Sequence, residues 1–237
     1  MDYKNNVEEI REALMDLGSE ERKKKTLHFL SDSSAQEVLG VSNPDMRVLI
    51  KELRKQHSEW ASEDWIGLSK ALVRTGVFEC QVTGFELIAG QKKVLAAMKS
   101  EDAEALMLNL DNWASVDHFT VGIFGVLWGK EVVKDEHIKQ LLKSENVWER
   151  RVAVASTVAL NTASRGGKGD TIRTMWVCEK VVDERHPMIW KALSWSLRSL
   201  VRWDRDAVYD FLDKHRERMS RQVIREVEHK LEHGTKN

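Results

Sequence analysis

Trp113 and Asp117 stand four residues apart just ahead of a long apolar run, and Asn112 before them is a preferred helix-capping residue. A helix that begins at Trp113 puts the indole and the carboxylate on one face. Beside an aromatic wall a carboxylate is partly shielded from water and stabilises positive charge more strongly than a hydrated one. The reaction type served by such a pair is cleavage of a glycosidic bond through an oxocarbenium-like state. For a lone aspartate the plain alternative is an interaction with the helix dipole, worth about 0.3–1 kcal/mol. The aromatic neighbour is what the chemical reading needs.

Tryptophan and charge recur downstream, with Arg150 and Arg151 after Trp148, and Lys191 and Trp195 after Trp190. Adjacent helical residues point about 100° apart. One arginine of the pair therefore turns to solvent or to an ion pair with Glu149, and the other, Arg151, enters the cleft. There it holds a phosphate bidentately or bridges to Asp117 itself. Trp195 lies between Ser194 and Ser196, which leaves room for an exposed indole to pack on a sugar or a cationic base. Trp65, Trp128 and Trp176 sit within apolar repeats and read as core.

These residues must be positioned by helices. Pro44 and Pro187 both fit helix starts, where a missing N–H costs little. Apolar residues recur at three and four, and no segment alternates with period two, so the fold is all-α with roughly a dozen short helices. Residues 101–130, 134–160, 170–201 and 204–232 each read as a helix pair. Asp117 and Arg151 are 34 positions apart, and Arg151 and Lys191 are 40 apart. That period fits HEAT-like repeats stacked as a curved α-solenoid, one domain over residues 1–237, with second helices on the concave side. A compact irregular bundle is the alternative. The loop of residues 161–170, NTASRGGKGD, matches no phosphate-loop pattern, yet Arg165, Lys168 and exposed glycine amides there offer contacts to a phosphate backbone.

Composition excludes more than it selects. With 42 % hydrophobic and 32 % charged residues the chain suits a soluble protein of amphipathic helices. Net charge is −1, but residues 148–237 carry 18 Lys+Arg against 13 Asp+Glu, and residues 1–147 carry 19 against 25. Such asymmetry points one part toward an anionic partner. Cys80 and Cys178 read as single, buried, reduced thiols. The first helix lacks the features of a signal peptide and no apolar stretch spans a membrane, so a cytoplasmic protein is expected. Dispersed histidines and unpaired cysteines give no metal or nucleophile motif, and no cofactor is expected.

Four stretches in order, VLGVSNPDMRVLIKEL (38–53), NWASVDHF (112–119), NVWERRVAV (146–154) and WKALSWSLR (190–198), resemble the AlkD-like family of DNA alkylation repair glycosylases. The resemblance covers most of the chain. It implies that Asp117 is the catalytic aspartate, Arg151 the arginine of the cleft, and Trp113 and Trp195 aromatic walls against the deoxyribose of the lesion. It further implies a monomer that acts on double-stranded DNA and excises cationic N3- and N7-alkylated purines. Hydrolysis of the N-glycosidic bond leaves an abasic site, without the base flipping usual for glycosylases. Phosphate contacts fall to Arg151, Lys191, Arg198, Arg165 and Lys168. One departure stands out: the aromatic residue of an N-terminal helix in that family has no counterpart in register. Ser31 stands near its place, with Phe29 close by. A non-catalytic HEAT-like module that binds DNA or protein is the alternative function.

Overall fold

The computed structural model describes residues 2–30 and 34–235, so Ser31 lies outside the described residues. Among the described residues the fold is all-helical. An isolated bridge between Glu37 and Val77 is its sole trace of β pairing. The chain forms two compact units, Met1–Ile123 and Phe124–Asn237.

The first unit contains α1 (Lys4–Leu17), α2 (Glu20–Leu30), α3 (Asn43–Gln56), α4 (Ser62–Val73), α5 (Phe78–Ile88), α6 (Lys92–Ala97), α7 (Ser100–Ala105) and α8 (Trp113–Phe119). Its hub is α5, buried around almost its whole circumference and packed on α1, α3, α4 and α8. One buried carboxylate organises the link from α2 to α3. Glu79 accepts backbone N–H bonds from Leu39 (2.9 Å), Gly40 (2.8 Å) and Val41 (3.3 Å). Gly40 is in the left-handed region (φ +80°), and a Cβ there would lie 2.4 Å from the Lys23 amide nitrogen. The backbone of α2 is thus seated directly on Gly40. A five-residue π-helical turn, Thr120–Phe124, follows α8. Periodicity counting gives no sign of it.

In the second unit α9 (Gly125–Gly129) is followed by three helix pairs: α10 (Asp135–Leu142) with α11 (Val147–Leu160), α12 (Thr171–Lys180) with α13 (Pro187–Leu200), and α14 (Arg205–His215) with α15 (Arg221–His233). α9 packs on α11, and the second helices follow in series, α11 on α13 and α13 on α15, each of these three also packing on its own first helix. This is a helical-repeat stack. Pro187 opens α13 and Pro44 lies in the first turn of α3, as expected. The helices α8, α11, α13 and α15 begin at residues 113, 147, 187 and 221, so the 34- and 40-residue spacings are those of successive second helices.

Candidate functional site

Asn112 caps α8 as the sequence predicts, its Oδ1 accepting from the Ser115 amide at 2.9 Å, and Trp113 is the first helical residue. The cap is itself locked from below. Asn112 is fully buried and donates to Gln36 Oε1 (3.0 Å). Gln36 Nε2 in turn donates to Gln81 Oε1 and to the Asn109 carbonyl, both at 2.7 Å. Gln81 Nε2 donates to the Leu108 carbonyl at 2.9 Å. Asp111 holds the link after α2 by accepting from Ser34 Oγ (2.9 Å) and from the Ala35 amide (2.6 Å). Every amide in this chain of contacts is satisfied, which makes the start of α8 rigid.

Trp113 is half-buried, and its Nε1 donates to the Phe29 carbonyl at 3.1 Å. The Phe29 ring meets the indole edge-on at 4.6 Å between centroids and is 63 % exposed. Phe29, in the last turn of α2, thus packs directly on Trp113. Asp117 follows one turn on from Trp113 and is half-buried. Next to it, His118 Nδ1 lies 3.0 Å from Glu86 Oε1 of α5.

In the second unit Asn146 caps α11, accepting from the Trp148 amide at 2.9 Å. The two arginines that follow turn to different surroundings. Arg150 donates to the Ser144 (2.8 Å) and Glu145 (3.0 Å) carbonyls and pairs with Glu184 at 3.3 Å rather than with Glu149. Arg151 points inward, is 5 % exposed and donates to the Met188 carbonyl in the first turn of α13. Lys191, Trp195 and Arg198 share one face of α13. Lys191 is exposed, with its ammonium 5.7 Å from the Trp190 ring centroid, and Trp195 is half-buried. Arg198 is turned to α15: its Nε donates to Ser194 Oγ (3.1 Å), and Glu226 lies 3.8 Å from its guanidinium. Burial pulls the Arg198 pKa down, while Glu226 pushes it up.

Arg165 and Lys168 stand elsewhere, past the C-terminal end of α11, about 13 Å along the helix axis from Arg151. The exposed glycine amides expected in their loop are not free to bind. Gly166, Gly167 and Gly169 donate to the carbonyls of Ala163 (3.0 Å), Thr162 (3.0 Å) and Leu160 (3.1 Å). Asn161 braces the loop, and Gly169 is packed on the Trp203 ring, whose Nε1 donates to the Asn161 carbonyl at 2.8 Å. What the loop offers is side chains. Lys130, Arg165 and Lys168 line an open cavity of about 670 Å³ floored by Val126 and Leu160. Trp65 and Trp128 are buried as core residues, while Trp176 is half-buried.

The equal register of the second helices reveals a residue that the motif reading missed. Asp117, Arg151 and Lys191 are each the fifth residue of α8, α11 and α13, and the fifth residue of α15 is Arg225. Its signal was the same 34-residue spacing, counted once more from Lys191.

These features define a helical-repeat protein that sets a carboxylate beside a fixed indole in one unit and cations in register on the helices of the other. The sequence profile of the DNA alkylation repair enzymes matches residues 10–231, and the chain belongs to that AlkD-like family. DNA is accordingly its substrate class. No curated protein matches the chain. No helix among the described residues is long and apolar enough to cross a membrane.

Proposed function

We propose that the protein is a monofunctional DNA glycosylase that removes cationic N3- and N7-alkylated purines. The observation that carries this reading is the Trp113–Asp117 face of α8, with its indole fixed by the Phe29 carbonyl and ring and its first turn fixed by the buried cap at Asn112. An alkylated purine already bears a positive charge. When its bond to the sugar C1′ breaks, the electron pair leaves with nitrogen and the base departs neutral, so no general acid is needed. The demand that remains is on the sugar. Asp117 stabilises the developing deoxyribosyl cation, Trp113 on the same helix face shields it from bulk water, and a water oxygen adds to C1′, its proton passing to the carboxylate or solvent. The product is an abasic site.

In this reading Lys191 contacts a backbone phosphate, Arg151, nearly buried and donating to the Met188 carbonyl, braces the first turn of α13, and Arg165 and Lys168 contact the backbone beyond the C-terminal end of α11. Arg198, committed to Ser194 and Glu226, positions the Trp195 face of α13 rather than meeting DNA itself. Excision without base flipping, and action as a monomer on duplex DNA, follow from the family resemblance. The test is release of 7-methylguanine and 3-methyladenine from methylated duplex DNA by wild type and Asp117→Asn. Release by wild type alone supports the reading. Duplex binding without any release would point to a non-catalytic DNA-binding module.

A further inference from the structure

The last helix repeats the pattern of α13 position by position. Ile189, Leu193 and Leu197 are buried in α13, and 34 residues later Val223, Val227 and Leu231 are buried in α15. The two helices pack on one another. This register carries Lys191 onto Arg225 and Trp195 onto His229. It also exposes a feature of α15 itself. Arg221, Arg225, His229 and His233 recur every fourth residue and form one ridge along the helix, about 18 Å long.

The charges of the ridge are available. Arg221 and Arg225 are exposed, and neither has a carboxylate within ion-pair distance among the described residues. The acids of α15 are engaged elsewhere or at its end. Glu226 accepts from Ser194 (2.5 Å) and Gln222 (2.9 Å), Glu228 pairs with Arg216 (2.6 Å), and Glu232 lies 3.8 Å from His233. The His229 and His233 rings stack at 4.3 Å, presenting two imidazoles as a unit. The apolar row of α15 is spent against α13, so the helix has no free greasy face for a membrane and offers charge alone.

We propose that the Arg221–Arg225–His229–His233 ridge is a contact surface for the phosphodiester backbone of duplex DNA. It continues the exposed cation of Lys191 by one repeat. For the identity of its partner it rests on the DNA-repair reading, but not on the chemistry assigned to Asp117. The arginines hold phosphates bidentately and the imidazoles add N–H donors.

The experiment measures affinity for an unmodified duplex against salt concentration for wild type, Arg221→Gln/Arg225→Gln, and a control of equal charge change, Lys180→Gln/Arg205→Gln, on the first helices α12 and α14. All four positions are exposed, and thermal melts confirm that the variants fold. Each phosphate contact contributes about 0.9 to the slope of log affinity against log salt, so the ridge variant should lose about 1.8 from that slope while the control keeps it. An unchanged slope in the ridge variant, or an equal loss in the control, overturns the proposal. A wild type that binds no duplex would overturn the DNA reading as well. Tighter binding of wild type to anionic phospholipid vesicles than to duplex, lost in the ridge variant, would transfer the surface to a membrane and also overturn it.

Discussion

The starts of α8 and α13 each carry a tryptophan and, at the fifth residue of the helix, a charge, and they are fixed by opposite means. At α8 the cap is a buried asparagine, locked by the side-chain amides of Gln36 and Gln81 and by the Asn109 carbonyl. At α13 the cap is an exposed His186 accepting from the Met188 amide at 3.2 Å. The helix is seated by Ile189, Leu193 and Leu197 against its neighbours. A buried polar network fixes one arrangement and is costly when one member is lost. Apolar rows tolerate small shifts. The difference matches the two tasks that the proposed function assigns. Charge stabilisation at one carbon atom demands sub-ångström placement, whereas phosphate contact by Lys191 or Arg225 tolerates motion of a long side chain.

Perturbations graded by size can break this contrast. Leu193→Ala empties a fully packed site in α13 and should cost about 2–5 kcal/mol in urea unfolding. Below the unfolding transition its maximal excision rate should stay near that of wild type. Gln36→Leu leaves the Asn112 amide and the Gln81 and Asn109 oxygens short of partners, at about 1–3 kcal/mol. Here excision should fall by more than duplex affinity does. If Gln36→Leu excised at the wild-type rate, the network would be structural only and the contrast would fail. Phe29→Ala removes an aromatic contact worth about 0.5–1.5 kcal/mol. Because Phe29 is largely exposed, its melting temperature should barely change, while excision drops several-fold through the loosened indole.

The smallest effect concerns pH. His215 is 2 % exposed, meets the Phe211 ring at a tilt with 4.6 Å between centroids, and has Nδ1 3.1 Å from the Arg218 guanidinium. Burial, then Lys214 and Arg218, hold its pKa below the ordinary histidine value, outweighing Glu179 and Asp183. The folded protein therefore resists protonation that the unfolded chain accepts. His215 costs no stability above the unfolded value, about 6.5, and stability falls as pH drops from there through the lower folded value. Melting temperatures at pH 7.5 and 5.5 should show a smaller acid-side loss in His215→Gln than in wild type.

Local features were legible in the sequence because local physics decides them. The cap at Asn112, the start of α8 at Trp113, the prolines at helix starts and the three later helix pairs all follow from neighbours in the chain. What sequence could not show depends on contacts between distant segments. Phe29 and Trp113 are 84 positions apart, and Gln36 and Asn112 are 76 apart. No periodicity links them. The glycine amides near Lys168 looked free because a loop's internal hydrogen bonds leave no mark on composition. Arg225 was within reach, since it sits at the spacing already found, but no tryptophan beside it drew attention to α15.

The central claim is a division of labour between the α8 face and the cations of α13. Its most direct test is single-turnover excision from a duplex with a single 7-methylguanine, with duplex affinity measured in parallel, for Asp117→Asn and Lys191→Gln. The account predicts that Asp117→Asn lowers the saturated rate by about 10²–10³-fold with affinity nearly unchanged. Lys191→Gln should weaken affinity and leave the saturated rate close to wild type. Loss of rate and affinity together in Asp117→Asn, or a normal saturated rate in that variant, would contradict it.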